Sequence, residues 1–272
     1  MWRKLSLGLV GSIFAACNLQ VASAADIPAP VYKAQIAVAN YNWTGWYVGL
    51  NAGGAFGRTD ANTSTVFSPT GYFALSSVPA IGSAGAQRVN SSGLIVGGQV
   101  GYNLQTNNIV WGIETDFQYF GLRGSSTGGA VYPCCAPTAF TVNSQFNTDW
   151  LFTARPRVGL AANNWLFYVT GGVALANLKG NFTFTDTFAT ANETASVSKV
   201  KAGWTVGAGA EYALLNRWSV KAEYLYVDLG SVSTTSTNLT AFTPAIAFPT
   251  NTFTHSVNLQ SHIFRLGLNY KL

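Results

Sequence analysis

Hydrophobic and polar positions alternate along this chain in eight separate runs, lying at about residues 45–55, 93–104, 109–120, 149–161, 165–176, 201–213, 218–227 and 261–272. Successive side chains of a strand point to opposite faces, so each run predicts a ribbon with one apolar and one polar face. The last is the clearest: Phe264, Leu266, Leu268, Tyr270 and Leu272 share one face, Arg265, Gly267, Asn269 and Lys271 the other. The first run sets Trp46, Val48 and Leu50 against Tyr47, Gly49, Asn51 and Gly53, and the third sets Trp111, Ile113, Phe117 and Tyr119 against Gly112, Glu114, Asp116 and Gln118. In the fourth, Trp150, Phe152, Val158 and Leu160 oppose Asp149, Thr153, Arg155 and Arg157, with Pro156 a local irregularity because it has no N–H to donate. The others follow suit.

The connections differ in length at the two ends. Three are tight turns, near 105–108, at Asn163-Asn164 and near Asn216, whereas four are long: 57–92, 122–148, 177–200 and 228–257, rich in Ser, Thr, Asn, Ala and Gly. Short turns at one end and long loops at the other fit an eight-stranded antiparallel up-and-down transmembrane β-barrel with short periplasmic turns and long extracellular loops. A soluble β-sandwich, the competing reading, mixes loop lengths at both ends. Pairing of the last strand with residues 45–55 closes the ring and leaves no edge. Trp and Tyr recur near the strand ends, as interfacial girdles require.

Composition sharpens this picture. Only 9% of residues are charged, against roughly 25% in ordinary soluble domains, and no apolar run beyond the N-terminus reaches the length of a spanning helix. Residues 1–24 read as a signal peptide: Arg3 and Lys4, then the apolar stretch 5–16, then the small-residue site Ala22-Ser23-Ala24. Its removal takes two of the 15 bases and none of the 10 acids, leaving thirteen against ten, a net charge of +3. That balance, without a basic cluster, excludes nucleic acid as an expected partner. Phe14-Ala15-Ala16-Cys17 departs from a lipoprotein box by having Phe where Leu is preferred. A Pro/Ala linker is expected over 25–42 and the barrel over 43–272. Cys134 and Cys135 are adjacent; a vicinal disulfide, a bond between chains and two plain loop thiols all remain open.

The polar faces carry four acids and four bases: Glu114, Asp116, Glu211 and Glu223 with Arg155, Arg157, Lys221 and Arg265. With the apolar faces turned to lipid, these eight point into a narrow lumen, where unpaired charges are costly. A paired internal network is expected, Glu114 and Asp116 meeting Arg155 and Arg157 on the next strand; residues lining a conducting path are the alternative. A barrel this small has an interior that side chains fill, with glycines making room for larger neighbours.

Three stretches carry a family resemblance. Trp43-Thr44-Gly45-Trp46-Tyr47-Val48-Gly49-Leu50-Asn51-Ala52-Gly53, Tyr168-Val169-Thr170-Gly171-Gly172-Val173-Ala174 and Trp218-Ser219-Val220-Lys221-Ala222-Glu223-Tyr224-Leu225-Tyr226-Val227-Asp228-Leu229-Gly230 together resemble the alphaproteobacterial 25/31-kDa outer-membrane protein family, small OmpA-like barrels of the "porin family". The resemblance spans about residues 40–272. It implies an integral outer-membrane barrel with surface-exposed loops, a role in envelope integrity, haemin binding in some relatives, and no catalytic residues or cofactor. Arg265, Gly267, Tyr270 and Leu272 resemble the C-terminal signal read by the barrel-assembly machinery. Expected partners are outer-membrane lipid and lipopolysaccharide, that machinery, and periplasmic chaperones.

Competing functions have thinner support. A small pore for ions or solutes needs an open lumen. Haem capture by the loops would fall to His255, placed at the foot of the last loop, and His262, looking outward. An enzyme would need Asp60, Asp186, Asp228, His255 and Ser256 to converge from separate loops. The pair Gly207 and Gly209 lacks the third glycine and following helix of a dinucleotide fingerprint, and no Cys/His spacing suits a metal.

Overall fold

The computed structural model describes residues 41–215 and 217–272. The expected signal peptide, Cys17, nearly all of the linker and the turn residue Asn216 lie outside the described residues. The elements run β1 (Gly45–Thr65), α1 (Ser77–Gly85), β2 (Gln87–Thr106), β3 (Ile109–Phe120), β4 (Arg123–Val131), β5 (Ala139–Ala162), β6 (Trp165–Asp186), β7 (Asn192–Ala213), β8 (Trp218–Ser236), β9 (Thr240–Ala241), β10 (Ile246–Ala247) and β11 (Phe253–Lys271).

The wall closes. β1 pairs antiparallel with β2 on one side and with β11 on the other, from Tyr47↔Lys271 to Thr65↔Phe253. The ring continues β2–β3–β5–β6–β7–β8–β11, every neighbour antiparallel. β4 resumes the path of β3 after a break at Gly121-Leu122 and pairs with β5. The full sheet has eleven strands, but β4, β9 and β10 add no new wall position, so eight strands make the barrel. Two turns are two-residue hairpins whose first residues, Asn107 and Asn163, have φ of 55°, the left-handed conformation that asparagine tolerates in such turns.

The strands are longer than the alternation predicted. Most of the four expected long loops is strand: β1 runs on to Thr65, β4 and the first half of β5 occupy 123–148, β6 extends to Asp186, β7 starts at Asn192, and β8 and β11 reach Ser236 and Phe253. The cause is an inversion of polarity along each strand. Near the turn end the outward side chains are apolar and the inward ones polar. Past Phe56 in β1 the outward positions become Arg58, Asp60, Asn62 and Ser64, while Ala55, Thr59, Ala61, Thr63 and Thr65 are buried inside. In β11 the outward apolar face ends at Phe264; above it Thr254, Ser256, Asn258, Gln260 and His262 face out and Phe253, Val257, Leu259 and Ile263 face in. The loop end of the barrel is therefore built like a soluble one.

Layers fill the barrel from end to end. Trp43 is buried with Val110, Leu166 and Tyr168 at the turn end, and Tyr41 packs against them. Above the charged layer described below, an apolar core includes Ile95, Phe120, Leu151, Leu178, Phe182, Leu225 and Ile263. A third cluster caps the loop end: Phe73, Ile81, Tyr132, Phe140, Phe184, Leu239 and Phe253. α1, which the sequence pattern did not predict, is part of that cap. Its Pro79, Gly82 and Gly85 are poor helix formers, and no side chain caps its N-terminus, yet Ile81 is fully buried, so packing holds it. Two interior tyrosines need glycine opposite: a Cβ on Gly101 would strike the Tyr47 ring, and one on Gly209 the Tyr168 ring.

Aromatic pairs mark both margins of the outward apolar band. Trp46–Tyr102, Trp165–Tyr212 and Trp218–Tyr270 lie at the turn end, and Phe117–Trp150 and Trp204–Tyr226 toward the loop end.

Candidate functional site

The eight interior charges come together in one layer, none more than 4% exposed. Strand pairing aligns them: Glu114 lies opposite Arg155, Glu211 opposite Lys221 and Arg265 opposite Glu223. Because each occupies an inward position at similar height, the long side chains also meet across the lumen. Arg155 is the hub. Its Nη2 donates to Glu114 Oε1 and to Asp116 Oδ2, both at 2.8 Å, and its Nε to Thr153 Oγ1 at 3.0 Å. Its Nη1 forms an ion pair with Glu223 Oε1 at 3.3 Å that is too misaligned for a hydrogen bond.

The remaining bases complete the layer. Lys221 Nζ donates to both carboxylate oxygens of Glu114 at 2.8 and 2.9 Å. Arg265 spans Asp116 at 3.0 Å and Glu223 at 2.6 Å and donates to Gln118. Arg157 reaches Glu211 at 3.3 Å and donates twice to Asn103 Oδ1, its guanidinium lying over the rings of Tyr47 and Tyr168. Those phenols donate to Glu114 and Glu223 in turn. Four positive and four negative side chains thus neutralise one another in a layer where the planar arginine fork suits paired carboxylates. The amides of Asn51, Gln99, Asn103 and Asn269 tie into it. These neutral partners sit on the same polar faces as the charges, which is the signal that identifies them.

Other sequence-marked residues are dispersed. Asp149, read as an inward residue, faces out: a register shift between Thr148 and Leu151 turns it, and it pairs with Lys179 at 2.7 Å. Pro156 interrupts hydrogen bonding to β6 without shifting the register. His255, read at the foot of a loop, is instead buried inside the wall, between Phe182 and Phe253. It contacts Thr63 Oγ1 at 2.9 Å and Glu193 Oε1 at 3.3 Å; Glu193 also accepts from Ser236. That inner pair escaped the sequence reading because Glu193 fell in an expected loop. His262 is outside the wall, bonded to the Tyr224 hydroxyl at 2.7 Å, so the two imidazoles lie on opposite faces of β11.

Asp60, Asp186 and Asp228 likewise do not converge. Asp60 faces solvent beside Arg88, Asp228 accepts from Gln260, and Asp186 organises the cap. Its Oδ2 accepts from the hydroxyls of Tyr72 at 2.6 Å and Tyr132 at 3.0 Å, and its Oδ1 from the backbone N–H groups of Ala189 and Ala191. Burial, reinforced by the Asp186 carboxylate, pushes both phenols far above their ordinary range. Cys134 and Cys135 are joined as a vicinal disulfide beside these tyrosines. Among the described residues no cluster of His, Cys, Asp and Glu has the makings of a metal site.

The chain is similar to known proteins along nearly its whole length. A family described as outer membrane protein beta-barrel domain matches residues 24–271. The 31 kDa outer-membrane immunogenic protein of Brucella melitensis biotype 1 is 35% identical over 273 residues, covering 99% of each chain. The 22 kDa outer membrane protein of Rhizobium leguminosarum bv. viciae is 34% identical over 137 residues, 50% of this chain and 53% of that one. The 25 kDa outer-membrane immunogenic protein of Brucella abortus biovar 1 is 29% identical over 205 residues, covering 75% of this chain and 72% of its own.

Proposed function

Because the chain belongs to the outer-membrane β-barrel protein family and resides in that membrane, we propose that it is a closed structural barrel that joins envelope lipid to a folded extracellular head. One observation carries this reading: a salt-bridged layer of eight side chains fills the lumen at the level of the lipid-facing band. Moving a hydrated ion through it means breaking several desolvated ion pairs together, and apolar layers lie above and below. The charges act as a plug rather than a path. A catalytic role finds no converged nucleophile, base or metal set among the described residues, and of the two histidines His255 is buried while His262, though exposed, stands apart from it on the opposite face of β11.

Planar-bilayer recording tests this against a pore. A silent bilayer is the expected result for the reconstituted barrel. Regular steps whose size changes in the Arg155→Gln or Glu114→Gln variant would show that the layer conducts, and would overturn the structural reading.

A further inference from the structure

The outer end of the barrel is almost free of charge. Residues 66–86, 132–138, 187–191 and 237–252, which close it, include no Lys, Arg, His, Asp or Glu. The charge that meets these segments is that of Asp186, at the end of β6. Its carboxylate is satisfied by neutral donors: the Tyr72 and Tyr132 hydroxyls and the Ala189 and Ala191 N–H groups. These bonds disperse a negative charge without cancelling it. The ion pairs of this half of the barrel lie elsewhere, Arg88 with Asp60, Lys179 with Asp149, and His255 beside Glu193.

Next to Tyr72 and Tyr132 lies a pocket of about 120 Å³ with electron-rich walls: the rings of Tyr72, Phe73, Tyr132 and Phe188 and the Cys134–Cys135 disulfide. Separate segments bring these groups together, and the arrangement is fixed in advance. The Tyr72 N–H donates to Asn251 Oδ1 at 2.6 Å, and its ring packs edge-on with Phe73 at 5.2 Å and against Phe248 at 5.3 Å. Phe188, 53% exposed, brings its ring to 6.2 Å from that of Tyr72. The pocket is well below the roughly 300 Å³ at which clefts for drug-sized ligands begin, so it suits a compact group.

We propose that this pocket binds a small alkylated ammonium ion. Aromatic faces attract cations, most strongly where both are desolvated, and cages of rings are the usual receptors for quaternary ammonium. A phenol that donates to a carboxylate has a more electron-rich ring, so Asp186 acts on the cation both directly and through Tyr72 and Tyr132. A metal ion is the poorer occupant, because it needs oxygen ligands and the Asp186 oxygens already accept bonds from four donors. An anion would meet no basic side chain. The start of α1 at Ser77, also on the pocket wall, opposes a cation, but a helix terminus carries only about half a unit of positive charge against the full charge of Asp186. Binding at this outer pocket does not depend on whether the lumen conducts.

The test uses the full barrel in a non-ionic detergent and two probes of one shape, choline and its neutral isostere with carbon in place of nitrogen. Each is titrated by NMR on its methyl signal. Choline is expected to bind at least about tenfold more tightly, equivalent to roughly 1.4 kcal/mol. F188L keeps the pocket apolar but removes a ring face, so it should reduce that preference about threefold or more. F67L, at an exposed aromatic of the same end but outside the pocket, should leave it unchanged. D186N should abolish the preference while the isostere still binds; if both probes are lost and protease cuts 66–86 faster, the cap has undocked and F188L decides. Equal binding of the two probes to the unaltered barrel, a preference that survives in F188L, an equal loss in F67L, or displacement of choline by the same concentration of potassium ion would each overturn the site.

Discussion

Replacing Arg155 with methionine removes the hub of the interior layer while keeping most of its volume. The side chain is fully buried and faces three carboxylates, those of Glu114, Asp116 and Glu223. Its loss leaves four acids against three bases in a layer whose side chains are all buried. Breaking one buried pair by deleting a partner costs about 3–5 kcal/mol, and a hub with three partners belongs at the upper end. Arg88, exposed and 3.7 Å from Asp60, supplies the reference: its Met variant should change stability by no more than about 1 kcal/mol. The assay is equilibrium unfolding in denaturant, followed by the fraction of heat-modifiable, folded protein. The E114Q/R155M double variant restores three acids to three bases, so it should be less destabilised than the sum of the single changes, with a coupling of at least about 1 kcal/mol. If R155M unfolds with the R88M midpoint, or the two changes simply add, the layer does not hold the barrel together.

Three further outcomes follow from the ends of the chain's strands. The Leu272 N–H donates to the Trp46 carbonyl, and Tyr270 pairs with Val48 at the seam while packing on Trp218; deleting Leu272 or making Tyr270→Asp should lower the amount of folded barrel in outer membranes several-fold, and normal levels would discount Arg265, Gly267, Tyr270 and Leu272 as an assembly signal. At the other end, Asp186→Asn weakens charge-assisted bonds worth about 1.5–3 kcal/mol each, so protease should cut near 66–86 and 132–138 faster while the barrel midpoint holds. The raised Tyr72 and Tyr132 phenols give this cap a pH dependence: docking favours their neutral forms, so cap stability is full below the ordinary phenol pKa of about 10 and declines above it as ionisation favours the undocked state. Cutting rates that stay flat from about pH 8 to pH 11 would contradict the Asp186 arrangement.

The half of each strand that faces lipid was legible because two signals coincide there. Trp46, Val48 and Leu50 alternate with Tyr47, Gly49 and Asn51, and the inward set collects every charge of the network. The half beyond the lipid was misread as loop because its outward residues are Ser, Thr and Asn, the composition of turns. The alternation is nevertheless present: Phe140, Val142, Ser144 and Phe146 are buried on one face of β5, as are Phe182 and Phe184 on β6. Only its sign is reversed, apolar inside and polar outside. What alternation cannot encode is a one-residue slip such as that between Thr148 and Leu151, which turned Asp149 outward, or a helix such as α1 that is stabilised by tertiary burial of Ile81 rather than by local propensity.

The same inversion explains why this barrel keeps charges inside at all. Replacing buried ion pairs by well-packed apolar side chains is often stabilising, so cohesion alone does not require them. But a strand that was apolar on both faces within the bilayer would have no preferred side to turn toward lipid. Register is strongly specified only where the two faces differ, since a slip of one residue exchanges them. Here such a slip in β5 would carry Arg155 and Arg157 into hydrocarbon, at about 2–4 kcal/mol for each arginine near the midplane, and would take from Glu114 and Asp116 on β3 the Arg155 guanidinium they share. In the extracellular half the same slip would expose Phe140, Val142 and Phe146 to water instead. The two halves penalise one error by opposite means, so each half of a long strand is held in its own register, as β5 is on either side of its shift between Thr148 and Leu151.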